Sequence, residues 1–232
     1  MYPSSRKRRP AIAALALLAL IFMPLIARAD DDGQVLPPWA TPHGYSLDDM
    51  ASAMALYSTS GNNPTYLPDT PFAILGLDPS SVMVTGTSDG GLLVTGDSSF
   101  TVEAGTTFFV PIYYTDDSPP IIGDFPDNAF EALFYFFGPQ QLGFTGGAVW
   151  VDGRRTDIGP FYLAGPVQVP NLLDGTGTHY MQLGFFLSPL SPGQHTIVVE
   201  GKLAGTAFTS ALGLAYESAV LINRVTVTPH RH

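Results

Sequence analysis

One short segment has the residue types of a hydrolase nucleophile. Residues 86–90 read GTSDG, which matches the G-x-S-x-G pattern with Ser88 at its centre. In serine hydrolases this pattern joins a strand to a helix, so that the serine hydroxyl stands on a strained turn. The residues that follow Gly90 read GLLVT, which is typical of a strand. We therefore interpret the segment as a hairpin turn between strands at residues 82–85 and 92–95.

Acidic residues and histidines further along the chain keep a hydrolase open as an alternative. Asp152, His179 and His195 follow Ser88 in the order of a Ser-Asp-His triad. A carboxylate pair such as Asp116 and Asp152 could instead provide general acid and base chemistry. A structural role is the simpler interpretation of both histidines, because His195 begins a strand after a Pro-Gly turn. No catalytic residue is therefore assigned.

An acidic segment is the best candidate for a cation site. Asp116 and Asp117 are adjacent, and Asp124 follows in the same loop. Calcium takes six to eight oxygen ligands, which the carboxylates and backbone carbonyls of such a loop can supply. The spacing matches no EF-hand, and aspartates also stabilise turns. We predict no obligatory cofactor, with calcium at Asp116, Asp117 and Asp124 as the alternative.

Aromatic residues are frequent in the predicted strands and could include a platform for sugars. Exposed rings on a flat β-sheet face can stack on neutral carbohydrate. Most of the rings are better explained as core, because alternate residues of 108–114 face opposite sides of a sheet and both sets are bulky. Trp150 and Tyr162 are the two residues that we predict at a ligand-binding surface.

The first 29 residues have the pattern of a secretory signal peptide. A basic cluster at residues 6–9 precedes an apolar run at 11–23, and residues 27–29 (ARA) form a small-x-small cleavage motif. The apolar run is too short to cross a bilayer of ~30 Å, and Pro24 ends it. We expect removal of residues 1–29 and a secreted or periplasmic protein with no membrane span.

The composition of the remaining chain excludes several classes of partner. All twenty acidic residues lie beyond residue 29 but only five of the ten basic residues do, so residues 30–232 carry a net charge of −15. Such a chain repels phosphate backbones and anionic lipids, which excludes nucleic acid as a partner. The absence of cysteine excludes disulfides, lipoprotein anchoring and thiol catalysis. Neutral polar ligands and divalent cations remain.

The elements that must position these residues are mostly strands. Charged residues make up only 13% of the chain, which also has 24 glycines, 21 prolines and many β-branched and aromatic residues. This composition is typical of an all-β protein with long loops. We predict one jelly-roll-like β-sandwich domain of about ten short strands over residues 46–229, preceded by a flexible segment at residues 30–45.

Two short helices are expected within this domain. The first covers residues 47–57, with Ser46 and Asp49 as its capping box, and the second covers residues 128–137, with Asp127 as its cap. The second is apolar along most of its length. A short strand is expected near the C-terminus, at residues 206–209.

Four segments, read in order, resemble a group of secreted bacterial proteins of uncharacterised function. These segments are the early helix after GYS, the run TVEAG into FFVPI, the turn VDGR, and PLSPGQHTI at residues 189–197. In that group a Trp-rich helix precedes "VPAG…FFP", then "VDG", then "PLSPGxHTI". This chain has Met and Ala in place of the helix tryptophans, and Phe100 where a cysteine is often found. The resemblance implies a jelly-roll-like β-sandwich and no particular activity.

The expected function is therefore that of a secreted, non-catalytic protein that binds an extracellular partner, such as a neutral glycan or a cell-surface component. A secreted hydrolase that uses Ser88 or paired carboxylates is the first alternative. A structural or assembly protein of the cell surface is the second, and exposed edge strands would be its signature.

Overall fold

Two β-sheets, packed face to face, make up most of the protein. The computed structural model describes residues 32–76, 81–119, 121–173 and 175–229. Ten strands occur in this part of the chain: β1 (Ala73–Ile74), β2 (Met83–Gly86), β3 (Leu92–Glu103), β4 (Phe108–Asp116), β5 (Phe144–Val151), β6 (Arg154–Asp157), β7 (Leu163–Gln168), β8 (His179–Leu187), β9 (Gly193–Leu203) and β10 (Glu217–Thr228). The predicted all-β sandwich is confirmed.

The order of the strands makes both sheets mixed. One sheet has four strands in the order β1-β4-β8-β7, and the other has six in the order β2-β3-β10-β9-β5-β6. The predicted hairpin is present as the antiparallel pair β2 and β3. Two pairs are parallel, β1 with β4 and β3 with β10, and the second runs from Leu92 beside Glu217 to Glu103 beside Thr228. The sequence does not predict these parallel pairs, because they join segments far apart in the chain.

The first helix begins where the sequence predicts. Helix α1 (Leu47–Thr59) has Ser46 as its N-cap. The Asp49 backbone N–H donates to Ser46 Oγ at 3.1 Å, and the Ser46 N–H donates to the Asp49 carboxylate at 2.8 Å. This reciprocal capping box satisfies two N–H groups that a helix start otherwise leaves without partners.

The cap of the second helix differs from the prediction by one residue. Helix α2 (Ala129–Phe137) is capped by Asn128, whose Oδ1 accepts hydrogen bonds from the N–H groups of Phe130 and Glu131 at 3.1 and 3.0 Å. The assignment of Asp127 as the cap is therefore wrong. The Asp127 N–H instead donates to the Glu131 carboxylate at 3.1 Å.

A third helix, α3 (Thr206–Leu212), lies where the sequence predicts a strand at residues 206–209. Its first N–H groups donate to the carbonyls of a distant loop, with Thr206 bonding Pro139 at 2.9 Å and Ala207 bonding Gln140 at 3.1 Å. These long-range bonds complete the helix start and outweigh the preference of threonine and phenylalanine for strands.

Strand β8 is buried on both faces and separates two cores. One side of β8 faces the six-stranded sheet, and the other side faces α1. The first side carries Met181, Leu183, Phe185 and Leu187, and the second carries Tyr180 and Phe186. A strand covered on both faces reads as a nearly continuous apolar run, as HYMQLGFFL does. Gln182, in the middle of this run, is therefore withdrawn from water.

The part of the N-terminal segment at residues 33–36 runs along the end of β8. The sequence predicts residues 30–45 to be flexible. The Leu36 N–H donates to the Phe186 carbonyl at 2.9 Å, and the Gly33 N–H donates to the Pro189 carbonyl at 3.1 Å. The predicted signal peptide, residues 1–29, lies outside the described residues. Within the described residues, no helix has both the length and the apolar character needed to cross a membrane.

Candidate functional site

Two turns that are distant in sequence meet at His195. Asp152 lies in the turn between β5 and β6 with a φ of 50°. His195 Nδ1 lies 2.6 Å from Asp152 Oδ2, and His195 Nε2 lies 2.8 Å from the backbone oxygen of Ser191. Both acceptors are oxygens, so both ring nitrogens donate when the imidazole is protonated. We call His195, Asp152, Ser191 and Asp32 the His195 cluster.

Ser191 and Asp32 complete this cluster and attach the N-terminal segment to it. Ser191 Oγ donates to Asp32 Oδ2 at 2.7 Å, and the Ser191 N–H donates to Asp32 Oδ1 at 2.5 Å. Arg154 reaches the same segment, because its Nη2 donates to the backbone oxygen of Asp32 at 2.5 Å. The cluster therefore connects three separate parts of the chain.

The hydrogen bonds of the cluster favour the charged forms of His195 and Asp32. Burial lowers the pKa of His195, but the hydrogen bonds to Asp152 and to the Ser191 carbonyl outweigh burial and raise it. Burial raises the pKa of Asp32, but the hydrogen bonds from Ser191 outweigh burial and lower it. Only 8% of the His195 side chain is exposed. Both ring nitrogens face oxygens of Asp152 and of the Ser191 backbone, so the cluster does not have the serine–histidine hydrogen bond of a catalytic triad.

Ser88 lies in the β2–β3 turn and faces solvent. The turn is closed by the Gly90 N–H, which donates to the Thr87 carbonyl at 3.1 Å, and by the hydroxyl of Tyr216, which donates to Asp89 at 3.0 Å. Strand β3 follows the turn, whereas a nucleophile elbow requires a helix there. The structure agrees with the interpretation of this motif as a hairpin turn.

The three aspartates predicted as calcium ligands have separate roles. Asp117 Oδ1 accepts hydrogen bonds from the backbone N–H groups of Thr178 and His179 at 2.6 and 2.8 Å, and its Oδ2 lies 3.0 Å from His179 Nδ1. Asp116 accepts a backbone N–H of its own loop at 2.7 Å, and Asp124 lies beside α2. No three acidic or histidine side chains in the described residues are placed to hold a metal ion. The expected carboxylate group is therefore not assembled, and calcium binding stays a prediction.

The two predicted ligand-binding aromatics have different surroundings. Trp150 lies on the outer face of the six-stranded sheet, and the Arg155 guanidinium sits over its ring at 5.4 Å from the centroid. Tyr162 is half-buried, and its hydroxyl donates to the Leu36 carbonyl at 3.2 Å. Tyr162 thus helps to hold the N-terminal segment. A ligand-binding role of either residue stays a prediction.

The exposed face of α2 is a feature that the sequence analysis did not identify as a site. Phe130 and Phe134 are 69% and 61% exposed, and their rings meet edge to face with centroids 4.9 Å apart. The opposite face of α2, with Tyr135 and Phe136, is buried in the core. A helix of sequence AFEALFYFF is apolar on all sides, so when one face packs on a sheet the other must expose apolar residues. This all-round apolar pattern in the sequence could have predicted the site.

Carboxylates lie on one side of this pair of phenylalanines, next to Phe134. A groove of about 340 Å³ beside α2 is lined by Phe134 together with Asp124, Asp127 and Glu131. All three acidic residues are exposed. We call Phe130, Phe134 and these three acidic residues the α2 surface. It combines an apolar centre with a negatively charged border.

Comparisons with known proteins place this chain in no family. No family model and no curated protein matches the sequence. Among solved structures, one chain of "Structure of PbICP-C in complex with falcipain-2" is similar, at 14% identity over 68% of this chain and 100% of that chain. The TM-score of that match is 0.23, which is too low to carry an argument about fold or function.

Proposed function

We propose that this chain is an exported, non-catalytic binding protein. The α2 surface docks a protein partner that presents apolar side chains next to Lys or Arg. The observation that carries this proposal is the exposed pair Phe130 and Phe134 beside the carboxylates of Asp124, Asp127 and Glu131. The partner would be a protein component of the cell surface or its surroundings.

The apolar centre of the α2 surface supplies the driving force for docking. Aromatic side chains dominate the energetics of protein interfaces, because each ring removes a large apolar area from water with little loss of conformational freedom. Phe130 and Phe134 already contact each other, so the pair is preorganised before a partner arrives.

The acidic border supplies selectivity. Residues 30–232 carry a net charge of −15, and three of the negative charges line the groove beside Phe134. A cationic partner is attracted over a Debye length of about 8 Å at physiological salt, whereas an anionic partner is repelled. Salt should therefore weaken the complex mainly by slowing association.

Two contacts support a non-catalytic protein. His195 is held by Asp152 and the Ser191 carbonyl, so it is not available as a base. Ser88 lies in an exposed turn before a strand. The serine form of the hydrolase alternative requires Ser88 to act as the nucleophile with a histidine as its base. The form that uses paired carboxylates requires neither group.

Export is the second part of the proposal, and it rests on the predicted signal peptide at residues 1–29. Protein recovered from the medium or the periplasm of the native host should begin at or near Asp30. N-terminal sequencing that finds residues 1–29 retained would contradict export.

The docking proposal is tested with two amphipathic peptides of about 15 residues, one of Leu and Lys and one of Leu and Glu. We expect fluorescence anisotropy to detect binding of the Leu/Lys peptide only. Phe130→Ser/Phe134→Ser should weaken that binding at least tenfold, about 1.4 kcal/mol. The matched control is Leu212→Ser, because Leu212 is a 48% exposed apolar residue on α3. Equal binding by the double variant and the control would refute the α2 surface as the docking site.

A surface-assembly protein is the second candidate, and one observation favours it. Strand β2 is an edge strand of the six-stranded sheet, and its Met83 and Val84 are 66% and 60% exposed. An exposed apolar edge can pair with the same edge of another copy. Sedimentation velocity should then show that the protein associates as its concentration rises, and that Val84→Lys abolishes this association. If the protein is instead the binding protein proposed above, its sedimentation coefficient should not depend on concentration.

A further inference from the structure

A cleft opens at one edge of the four-stranded sheet. The two-residue strand β1 pairs with β4 at Phe108 and Phe109. The part of β4 that follows these residues borders a cleft of about 130 Å³. The register of β4 against β8 shifts between Pro111 and Tyr113, at the same place. Bulges of this kind are frequent beside binding sites, because they redirect side chains. A volume of this size holds one small chemical group.

Gln182 of β8 lines this cleft and has an unusual environment. Its side chain is withdrawn from water, with the residue only 1% exposed. Neither Oε1 nor Nε2 has a hydrogen-bond partner among the described residues. A buried amide without partners is costly, and native proteins rarely keep one without a reason. A ligand in the cleft that bonds both atoms would remove this cost.

The frame around Gln182 is fixed by side chains on both sides of the cleft. The Tyr180 hydroxyl donates to Ser58 Oγ at 2.8 Å, which attaches the end of α1 to β8. Tyr114 stacks on Tyr180 at an interplanar angle of 22° and remains 41% exposed, so its ring borders the entrance. The site is therefore formed before a ligand arrives.

The remaining lining indicates the chemical class of the ligand. Met54, Leu75 and Ile112 supply apolar surface, and Asn62 and Asn223 supply further neutral polar groups. No charged side chain is among the described residues that line the cleft. A charged ligand would lose its hydration without compensation, so the ligand must be uncharged.

We propose that this cleft binds the acetamido group of an uncharged ligand, such as an N-acetylated sugar. Gln182 offers one donor and one acceptor side by side. Nε2 donates to the acetamido oxygen, and Oε1 accepts from a hydroxyl next to that group on the ligand, because a trans acetamido group points its own N–H away from its oxygen. The methyl group of the ligand packs against Met54 and Ile112. The remainder of the ligand extends out of the cleft past Tyr114. This site is separate from the α2 surface in its residues and does not depend on the proposed docking function.

The test is an NMR titration of the protein with N-acetylglucosamine and with glucose. We expect saturable shifts with N-acetylglucosamine at millimolar concentrations and at least tenfold weaker binding of glucose. Gln182→Met nearly conserves volume, so it should keep the fold, keep or raise the thermal midpoint, and lose the binding at least tenfold. Gln168→Met is the matched control, because Gln168 is exposed at the end of β7.

Several results would overturn the proposal. These are equal binding by Gln182→Met and wild type, equal binding of glucose and N-acetylglucosamine, and no saturation up to roughly 50 mM. A Gln182→Met variant that unfolds, or melts well below wild type, would show that the amide stabilises the fold itself. Phe130→Ser/Phe134→Ser should bind the sugar like wild type, which separates this site from the docking surface.

Discussion

His195 and Asp152 are 43 residues apart in the sequence, yet His195 Nδ1 lies 2.6 Å from Asp152 Oδ2. The second oxygen of Asp152 accepts the Thr196 N–H at 2.8 Å, so one carboxylate fixes both the imidazole and the backbone at the start of β9. The left-handed φ of 50° at Asp152 is held in place by these bonds. The pair acts as a structural connection between two turns.

The stability of the protein should fall as the pH rises through the neutral range. The pKa of His195 is raised in the folded state, so the unfolded histidine releases its proton first, near its ordinary pKa of about 6.5. The contribution of His195 is therefore complete below that value and is lost as the pH rises through the folded pKa. Urea unfolding at a series of pH values between about 5 and 9 measures this loss.

Two variants define the origin of this pH dependence. His195→Gln should remove the decline in stability with rising pH, and Asp152→Asn should reduce it. Asp32 acts in the opposite direction, because its lowered pKa contributes stability that is lost on acidification. A His195→Gln variant with the same pH profile as wild type would assign the effect to other groups.

Calcium should have little effect on stability. Both oxygens of Asp117 are already bonded, to the Thr178 and His179 N–H groups and to the His179 ring. A cation would have to displace these bonds. We expect the thermal midpoint in calcium and in EDTA to agree within about 2 °C, which is less than 1 kcal/mol for a domain of this size. A larger rise in calcium that Asp124→Asn abolishes would restore the predicted site.

The capping box of α1 should contribute measurably to the free energy of unfolding. Ser46→Ala removes the acceptor of the Asp49 N–H and the partner of the Asp49 carboxylate. We expect a loss of about 0.5–2 kcal/mol in chemical denaturation. Ser52→Ala is the control, because Ser52 is exposed on the same helix and its hydroxyl donates to the Asp48 carbonyl at 3.0 Å, away from the cap. Equal losses from the two variants would mean that the cap is not the cause.

Local signals in the sequence predict those elements whose stabilising contacts are also local. The α1 capping box joins residues three apart, and the β2–β3 hairpin joins neighbouring segments, so both were predicted correctly. The α2 cap was misplaced by one residue, because Asp127 and Asn128 are both good caps. The start of α3 is bonded to the carbonyls of Pro139 and Gln140, and no local pattern encodes these bonds.

The candidate sites follow the same rule. Asp152 and His195 were recognised as reactive residue types, but their meeting depends on the pairing of β5 with β9. Gln182 stands out in the sequence as one amide in an apolar strand. That its amide has no partner among the described residues depends on which side chains of α1 and β4 face it, and this is set by tertiary packing.

Ser88→Ala should leave the fold unchanged, because Ser88 is exposed in a turn held by its neighbours. The Thr87 N–H donates to the Gly91 carbonyl at 2.9 Å, and Tyr216 bonds Asp89. Substitutions of this kind in exposed turns change the free energy of unfolding by no more than about 0.5 kcal/mol. Asp89→Ala is the comparison, because it removes the acceptor of the Tyr216 hydroxyl and should cost more.

A fluorophosphonate probe distinguishes this turn from a nucleophile. The probe reacts with an activated serine, and activation requires a base within hydrogen-bond reach of the hydroxyl. His195 is bonded to Asp152 and to the Ser191 carbonyl, and the Ser191 hydroxyl donates to Asp32, so neither Ser88 nor Ser191 has His195 as its base. We expect no labelling of the wild-type protein. Labelling that disappears in Ser88→Ala would establish the hydrolase alternative, and labelling that disappears only in Ser191→Ala would place a nucleophile in the His195 cluster.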